Sequence, residues 1–87
     1  DGLAPEVARY EPREALSGGT DGLAFYRRLA GETPGLLWPG SEVLVEVGQG
    51  QADQVKGIVT NTGRFEWART LVDAAGIDRV LQFRFVR

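Results

Sequence analysis

The clearest hydrophobic pattern in the chain begins after Asp21. Residues suited to burial recur there at three- and four-residue spacing, which places them on one face of a helix. Thr20 or Asp21 can cap the start of this helix. Pro34 lacks a backbone N–H, so it should kink the helix or begin a new short turn. The stripe consists of Leu23, Tyr26, Leu29 or Ala30, Thr33 and Leu37.

A second pattern follows Pro39-Gly40. Residues 43–47 form a nearly continuous β-branched run, which is typical of a central strand that is covered on both faces. Gly48-Gln49-Gly50 ends this strand, and a helix follows that stops near Asn61-Thr62-Gly63. The buried face of that helix is predicted to consist of Ala52, Val55, Ile58 and Val59.

The end of the chain carries two further strand patterns. Residues 65–71 and residues 80–85 both alternate between apolar and polar side chains. Because the link between them is too short for a helical crossover, these two strands should pair antiparallel, whereas strands 43–47 and 65–71 should run parallel. Residues 1–19 are rich in Gly, Pro and charges and are predicted to be a loop. The predicted fold is α/β, with two helices and a small mixed sheet of about three strands, the last one antiparallel.

Composition excludes several kinds of chemistry. The 87 residues include no cysteine and no histidine, which removes disulfides, the usual zinc ligands and the Ser-His and Cys-His nucleophile pairs, so we predict no metal site. A net charge of −2 with scattered arginines argues against a nucleic-acid surface. No apolar stretch reaches the roughly 20 residues that cross a bilayer. We therefore predict a soluble, cytoplasmic protein without a membrane partner.

An ordered set of short motifs narrows the function. Together they resemble the bacterial release-factor glutamine methyltransferases, in the segment that follows the catalytic Asn-Pro-Pro-Tyr of that family. Each motif alone is weak, but the set covers nearly all of the chain. The motifs are Tyr10-Glu11-Pro12-Arg13, Ala15-Leu16, Gly18-Gly19, Asp21-Gly22-Leu23, Tyr26-Arg27-Arg28, Leu36-Leu37, Pro39-Gly40, Val45-Glu46-Val47-Gly48, Gly50-Gln51 and Gly76-Ile77-Asp78-Arg79-Val80.

The resemblance implies a fold and an activity. The fold is the C-terminal half of a Rossmann-like class I methyltransferase, whose final strand is reversed. The parent enzyme would transfer a methyl group from S-adenosylmethionine to the side-chain nitrogen of the glutamine in the Gly-Gly-Gln loop of peptide chain release factors. One alternative is a glutamine methyltransferase that acts on a ribosomal protein. Another is a non-catalytic α/β interaction module.

The catalytic and cofactor residues of that family have no counterpart in this sequence. It contains no Gly-rich loop after a first strand, no acidic residue placed for a ribose and no Asn-Pro-Pro-Tyr. We therefore predict no catalytic and no cofactor-binding residue, and we expect S-adenosylmethionine to bind the parent enzyme but not this piece. Because the chain begins at Asp1 and contains no methionine, we expect a fragment that starts shortly after the active site. Ser41 replaces a usual glycine of the family and should affect only a turn.

Glu11 and Arg13 are the candidates for contacting the substrate. By the resemblance, residues 1–87 form a single partial domain, in which 1–19 is a substrate-side loop and 20–87 is an α-β-α-β-β unit. The two charged side chains would contact the release factor. The alternative is that they clamp the loop, which is the commoner role of charged loop residues.

Other residues have both a functional and a structural interpretation. Gly48-Gln49-Gly50-Gln51 lacks the third glycine of a dinucleotide-binding loop and is predicted to be a strand-to-helix turn. Glu42 and Glu46 share one face of a strand and could act as an acid–base pair, but solvent-exposed positions near the strand ends are expected. Asp78-Arg79 is expected to form an ion pair in a turn, and the alternative is a role in positioning the missing half of the domain. The aromatic residues expected in the core rather than in a ligand surface are Phe25, Tyr26, Phe65 and Trp67.

The last expectation concerns self-association. Strand 43–47 would normally be shielded by a neighbouring strand from the absent half of the domain. Alone it should expose an apolar edge, and such edges pair with other chains. We predict weak self-association through this edge.

Overall fold

The computed structural model describes residues 7–10 and 22–87, which form two α-helices, one 3₁₀ helix and four strands. This composition confirms the predicted α/β class and raises the number of strands from about three to four. In chain order the elements are β1 (Val7–Tyr10), α1 (Ala24–Glu32), the 3₁₀ helix (Thr33–Leu36), β2 (Glu42–Glu46), α2 (Ala52–Thr60), β3 (Phe65–Val72) and β4 (Asp78–Phe85).

The four strands form one mixed sheet in the order β1-β2-β4-β3. β1 runs parallel to β2, and β4 runs antiparallel to both of its neighbours, β2 and β3. The predicted antiparallel pairing of the last two strands is confirmed. β2 and β3 point in the same direction, as expected for strands joined by a helix, but they do not pair. The reversed strand β4 lies between them.

One face of the sheet is directed into the core, because side chains alternate between the two faces of a strand. Val43 and Val45 of β2 lie opposite Phe83 and Leu81 of β4, and all four side chains are buried. Both helices contribute to the same cluster of buried residues. The core is therefore a single layer between this face and the two helices.

The opposite face of the sheet carries the polar residues of β2. Glu42, Leu44 and Glu46 are half-buried and alternate with the buried Val43 and Val45. The prediction that strand 43–47 is covered on both faces is therefore wrong for the described part of the chain. The run looked continuous because Leu44 is apolar, although its side chain points away from the helices.

The first helix buries the stripe that its spacing predicted. Leu23 occupies the N-cap position without a side-chain hydrogen bond, whereas the two predicted caps, Thr20 and Asp21, lie outside the described residues. Pro34 lies in the first turn of the 3₁₀ helix, which confirms that it begins a separate short turn. The buried residues of the stripe are Leu23, Tyr26, Leu29, Ala30 and Thr33, with Leu37 partly buried.

The second helix also has its predicted apolar face. Ala52, Val55 and Val59 are buried, and Ile58 is partly buried against the core. The helix ends at Asn61 as its C-cap, and Gly63 has a φ of 74°, a left-handed conformation that suits glycine. The predicted stop near residues 61–63 is confirmed.

The prediction of a loop over residues 1–19 is wrong at Val7–Tyr10, which form β1. This short strand is exposed or half-buried along its length, so it has no strong hydrophobic pattern and is defined by its backbone pairing with β2. As a result, β2 has a neighbour on each side. The expected exposed edge at residues 43–47 is therefore also wrong, because the edge strands of the described sheet are β1 and β3. Self-association stays a prediction.

Phe83→Ala should show how far the fold depends on β4. Phe83 is fully buried, and its ring lies edge-on to Phe65 with the ring centres 6.4 Å apart. Removing the ring leaves a cavity, so we expect the free energy of unfolding to fall by about 3–5 kcal/mol. Urea denaturation of the 87-residue chain measures this. The control is Leu36→Ala, because Leu36 is 74% exposed and should change the same quantity by no more than about 0.5 kcal/mol. Equal losses in the two variants would contradict the assigned core.

Candidate functional site at the carboxyl edge of the sheet

The candidate site lies where the parallel strands β1 and β2 end. Tyr10, the last residue of β1, pairs with Val45, and β2 ends one residue later at Glu46. In open α/β sheets, ligands bind outside the carboxyl ends of the strands. We call the described residues at this place the carboxyl edge: Arg9, Tyr10, Gly22, Tyr26 and residues 46–51.

Glu11 and Arg13, the two predicted substrate contacts, lie outside the described residues. Glu11 directly follows Tyr10 in the sequence. The segment that contains both residues therefore begins directly after a residue of the carboxyl edge. Whether they contact a substrate or clamp a loop stays a prediction.

A tight turn joins β2 to α2 at this edge. The backbone N–H of Gln51 donates to the carbonyl of Gly48 at 3.1 Å, and Gly50 has a φ of 83°. The side-chain Oε1 of Gln51 accepts a hydrogen bond from the backbone N–H of Gly48, also at 3.1 Å. The predicted strand-to-helix turn is confirmed. A phosphate cradle does not fit, because Gln51 already occupies the Gly48 amide.

Tyr26 ties α1 to the end of β2. Its side chain is fully buried, and its hydroxyl donates to the carbonyl oxygen of Glu46 at 3.0 Å. Burial raises the pKa of this hydroxyl above its ordinary value of 10.0, and the Glu46 charge raises it further, while the backbone amide of Gly48 opposes the change. The hydroxyl therefore keeps its proton at neutral pH and continues to donate.

The two carboxylates on the uncovered face of β2 do not act as a pair. Glu46 contacts the guanidinium of Arg9 on β1, and Glu42 accepts a hydrogen bond from Gln82 on β4. Each carboxylate thus has its own partner on a different neighbouring strand. The two residues share a face and remain partly accessible to solvent, as the sequence predicted, and the arrangement gives no support for acid–base chemistry.

A groove of about 380 Å³ lies on the uncovered face at the other end of β2. Glu42, Glu66, Gln82 and Arg84 supply its polar lining. These side chains pair with one another, Glu42 with Gln82 and Glu66 with Arg84, so the charges of the groove are neutralised within it. None of the residues that line the groove belongs to the carboxyl edge.

The aromatic residues mostly belong to the core. Tyr26 and Phe65 are buried, and Phe25 packs edge-on against Tyr26 with the ring centres 5.2 Å apart. Trp67 differs, because it is 41% exposed and the Nζ of Lys56 lies 3.6 Å from the centre of its ring. The register of β3 shifts between Trp67 and Arg69, and such bulges redirect side chains. The core prediction is confirmed for the first three residues and wrong for Trp67.

The loop between β3 and β4 is organised by Asp73, which the sequence analysis did not identify. Its Oδ1 accepts hydrogen bonds from the backbone N–H groups of Ala75 at 2.8 Å and Ile77 at 3.0 Å. Its Oδ2 accepts from the Nε of Arg79 at 2.8 Å. The expected turn ion pair therefore exists, but the partner of Arg79 is Asp73 rather than Asp78. An aspartate that opens an Asp-Ala-Ala-Gly turn was the available signal.

Three polar groups of β2 and the turn after it, the Glu42 and Glu46 carboxylates and the Gly48 amide, are engaged by neighbouring side chains. A nucleoside cofactor needs a carboxylate free to bind its ribose hydroxyls. The half-buried carboxylates of β2 are engaged by Arg9 and Gln82, and the Gly48 amide is engaged by Gln51. Within residues 7–10 and 22–87, no cluster of three or more His, Cys, Asp or Glu side chains is suited to a metal ion. No helix in these ranges is long and apolar enough to cross a membrane.

Sequence comparison finds close relatives among curated proteins. The release factor glutamine methyltransferase of Geobacter sulfurreducens is 49% identical over 81 residues, which is 93% of this chain. The proteins of the same name from Thermodesulfovibrio yellowstonii and Bacillus anthracis are 44% and 40% identical over 91% and 92% of the chain. Over nearly all of its length, this chain is a relative of release factor glutamine methyltransferases. The resemblance predicted from the motifs is confirmed.

The match covers only part of each release factor glutamine methyltransferase. The chain spans 28% of the length of each of these three relatives. No family model matches the sequence. The identity therefore establishes the relationship of this segment, and the activity of a whole enzyme is a separate question.

Two solved structures share the fold. A release factor-specific protein-(glutamine-N5) methyltransferase from Alicyclobacillus acidocaldarius aligns with 95% of this chain and 81% of its own, with a TM-score of 0.65 and 21% identity. A protein from Thermus thermophilus, described as a DNA modification methylase, aligns with 98% of this chain and 46% of its own, with a TM-score of 0.71 and 15% identity. At these identities the likeness concerns the fold alone. It confirms the Rossmann-like class I methyltransferase fold.

Asp73→Asn should change how the stability of the chain depends on pH. The pKa of the Asp73 carboxyl lies below its ordinary value of 3.8. The hydrogen bond from the Ile77 N–H is the largest cause of this, and the hydrogen bond from the Arg79 side chain is the second. A carboxyl with a lowered pKa stabilises the folded state above the unfolded pKa, and this contribution disappears as the pH falls through the folded pKa. The stability difference between the natural chain and Asp73→Asn should be constant down to about pH 4 and shrink below it. Urea denaturation at a series of pH values measures this.

The matched control for Asp73→Asn is Arg79→Gln. This variant removes the ion pair but leaves the two backbone hydrogen bonds to Asp73 in place. We expect a smaller loss of stability than in Asp73→Asn, because Asp73→Asn removes the carboxylate charge from the two backbone hydrogen bonds as well as from the ion pair. An equal loss in both variants would mean that the Asp73 charge stabilises the loop through the ion pair alone.

Proposed function

We propose that this chain contributes the C-terminal part of the catalytic domain of an S-adenosylmethionine-dependent protein glutamine-N5 methyltransferase. Its substrate is the glutamine in the Gly-Gly-Gln loop of peptide chain release factors. The observation that carries the proposal is the 49% identity to the Geobacter sulfurreducens release factor glutamine methyltransferase over 93% of the chain. All three relatives compared above have the same name, which favours release factors over ribosomal proteins as the substrate.

The contribution of this part is structural and substrate-facing rather than chemical. An amide nitrogen is a weak nucleophile because its lone pair is delocalised, so the enzyme must hold it in line with the methyl group of the cofactor. The described residues offer neither a cofactor site nor an acid–base pair. We propose that the groups that bind S-adenosylmethionine and hold the amide come from the part of the parent enzyme outside this chain.

The carboxyl edge supports a role on the substrate side. β1 and β2 both end there, and the segment with Glu11 and Arg13 begins directly after Tyr10. We propose that these two side chains contact the release factor. Their alternative role is to clamp the segment.

The surface charges support a protein rather than a nucleic acid as the partner. Four arginines of the described residues form ion pairs with carboxylates, so they do not make a continuous basic surface of the kind that follows a phosphate backbone. We place the protein in the cytoplasm, where release factors act. The pairs are Arg9 with Glu46, Arg28 with Glu32, Arg79 with Asp73 and Arg84 with Glu66.

A chimeric enzyme tests the proposed function. The 81 matched residues of the Geobacter sulfurreducens enzyme are replaced by the corresponding residues of this chain. We expect the chimera to methylate a release factor with kcat/KM within about tenfold of the unmodified enzyme, because most positioning contacts are retained. Transfer of a labelled methyl group to purified release factor, followed by mass spectrometry of the Gly-Gly-Gln peptide, measures this.

The chimera needs three comparisons. The unmodified Geobacter enzyme is the positive control, and the same enzyme without the matched segment is the negative control. A release factor with the loop glutamine replaced by alanine reports the site of transfer. A folded chimera that leaves release factor unlabelled, or that labels ribosomal proteins instead, would contradict the proposal.

Titration with S-adenosylmethionine tests whether the cofactor site lies in the part of the parent enzyme outside this chain. The 87-residue chain alone should give no saturable heat on calorimetric titration with the cofactor, because the Glu42 and Glu46 carboxylates and the Gly48 amide already have partners. The active chimera should bind the cofactor under the same conditions. Saturable binding by the isolated chain would reveal a cofactor site within it and would overturn this assignment.

A further inference from the structure

Three cationic side chains near β3, those of Lys56, Arg64 and Arg69, have no acidic side chain as a partner in the described part of the chain. Arg64 donates to a backbone oxygen at 3.2 Å, and Arg69 donates to a glutamine side chain at 2.8 Å. The Nζ of Lys56 lies 3.6 Å from the centre of the Trp67 ring. These contacts leave the three charges in place, whereas other arginines of the chain are paired with carboxylates.

Charge is distributed unevenly along the sequence. Residues 56–72 contain three cationic side chains and one acidic side chain, Glu66, which is paired with Arg84. The chain as a whole has a net charge of −2. The region of β3 is therefore cationic in a chain that is otherwise acidic.

An aromatic ring lies among these charges. Trp67 is exposed, and it stands between Arg64 and Arg69, which are exposed as well. In an extended strand the distance from Arg64 to Arg69 is roughly 15 Å. Exposed tryptophan and arginine side chains are the types that contribute most to protein interfaces. We call Lys56, Arg64, Trp67 and Arg69 the β3 patch.

The geometry of Trp67 disfavours single-stranded nucleic acid as the ligand of the β3 patch. Proteins bind single strands by combining cationic side chains with aromatic rings on which the bases stack. One face of the Trp67 ring is covered by the Lys56 ammonium group, so a base cannot stack there. An acidic protein segment needs only the charges and the exposed part of the ring.

The shape of β3 disfavours a second copy of the chain. β3 is an edge strand of the described sheet, and an edge strand can pair with the same edge of another molecule. The register of β3 shifts between Trp67 and Arg69 and again between Leu71 and Val72. Bulges and exposed charges of this kind hinder pairing between edges.

We propose that the β3 patch is a docking site for an acidic segment of a partner protein. Carboxylates of that segment pair with the three cationic side chains, and an apolar side chain of it packs on the exposed part of Trp67. Glu42 and Glu66 both pair with Arg84, so the patch begins level with the first residue of β2, at the end opposite to the carboxyl edge. Docking there does not depend on the function proposed above.

Fluorescence anisotropy with labelled probes tests the docking site on the 87-residue chain. The probes are a peptide of about ten glutamates, a peptide of the same length with one leucine at its centre, and a thymidine oligonucleotide of similar charge. We expect saturable binding of both peptides at low salt, and a Kd for the oligonucleotide at least about threefold higher.

Paired substitutions show whether binding occurs at the β3 patch. Arg64→Gln combined with Arg69→Gln should raise the Kd of both peptides about tenfold, because two exposed ion pairs are lost. Arg64→Lys combined with Arg69→Lys keeps both charges and should stay within about twofold of the natural chain. The matched control is Arg27→Gln combined with Arg28→Gln, the same change of charge at two exposed arginines of α1, which should also stay within about twofold.

Trp67→Ala tests the apolar part of the site. We expect it to raise the Kd of the leucine-containing peptide about fivefold and that of the glutamate peptide by less than about twofold, because only the first peptide has an apolar side chain for the ring. The comparison of two probes on one variant separates loss of the ring from loss of the fold. It decides the question if the double Arg→Gln variant does not fold.

Three outcomes would overturn the docking site. The first is that neither peptide binds saturably at low salt. The second is that the Arg64 and Arg69 substitutions and the α1 control weaken binding equally, which would assign the effect to net charge. The third is that the oligonucleotide binds more tightly than both peptides, which would assign the β3 patch to nucleic acid.

Discussion

The pairing of β4 with β2 is the contact on which the rest of the structure depends. It places Leu81 and Phe83 beside Val45 and Val43, which joins the last part of the chain to the centre of the sheet. Backbone hydrogen bonds extend this pairing past both ends of β2, from Gly40 to Phe85 at 2.8 Å and from Val47 to Arg79 at 3.0 Å. Because β3 pairs only with β4 within the described sheet, loss of this one pairing would separate the C-terminal hairpin from β1 and β2.

Local patterns in the sequence predicted most of these elements, because each has a strong side-chain period. The stripe of α1, the apolar face of α2 and the alternation of residues 81–85 all correspond to buried residues. The failures are of a different kind. β1 has little apolar surface, and its identity depends on a partner 35 residues away, from Val7 to Glu42, which no local pattern reports. The place of β4 between β2 and β3 is likewise a property of the whole sheet.

The candidate site was harder to predict from the sequence than the fold. Resemblance drew attention to Glu11 and Arg13, which have charged side chains, whereas the ties at the carboxyl edge come from Gln51 and Tyr26, whose side chains are neutral. The spacing of Tyr26 correctly predicts its place in the core. No spacing predicts the hydrogen bond of its hydroxyl to the Glu46 carbonyl or that of Gln51 to the Gly48 amide. The Asp73 loop shows the same limit, because Arg79 has an acidic neighbour at Asp78 but pairs with the more distant Asp73.

Two hydrogen bonds at the carboxyl edge come from neutral side chains, those of Gln51 and Tyr26. An ion pair at an exposed site weakens as salt increases, and a carboxylate or imidazole changes its bonds when it titrates. The Gln51 amide does not titrate, and burial keeps the Tyr26 hydroxyl protonated at neutral pH. Both hydrogen bonds are therefore retained at neutral pH. The charged pair at this edge, Arg9 with Glu46, lies on the uncovered face of the sheet. Changes in salt or pH that affect this pair therefore leave the hydrogen bond from Tyr26 of α1 to the Glu46 carbonyl of β2 intact.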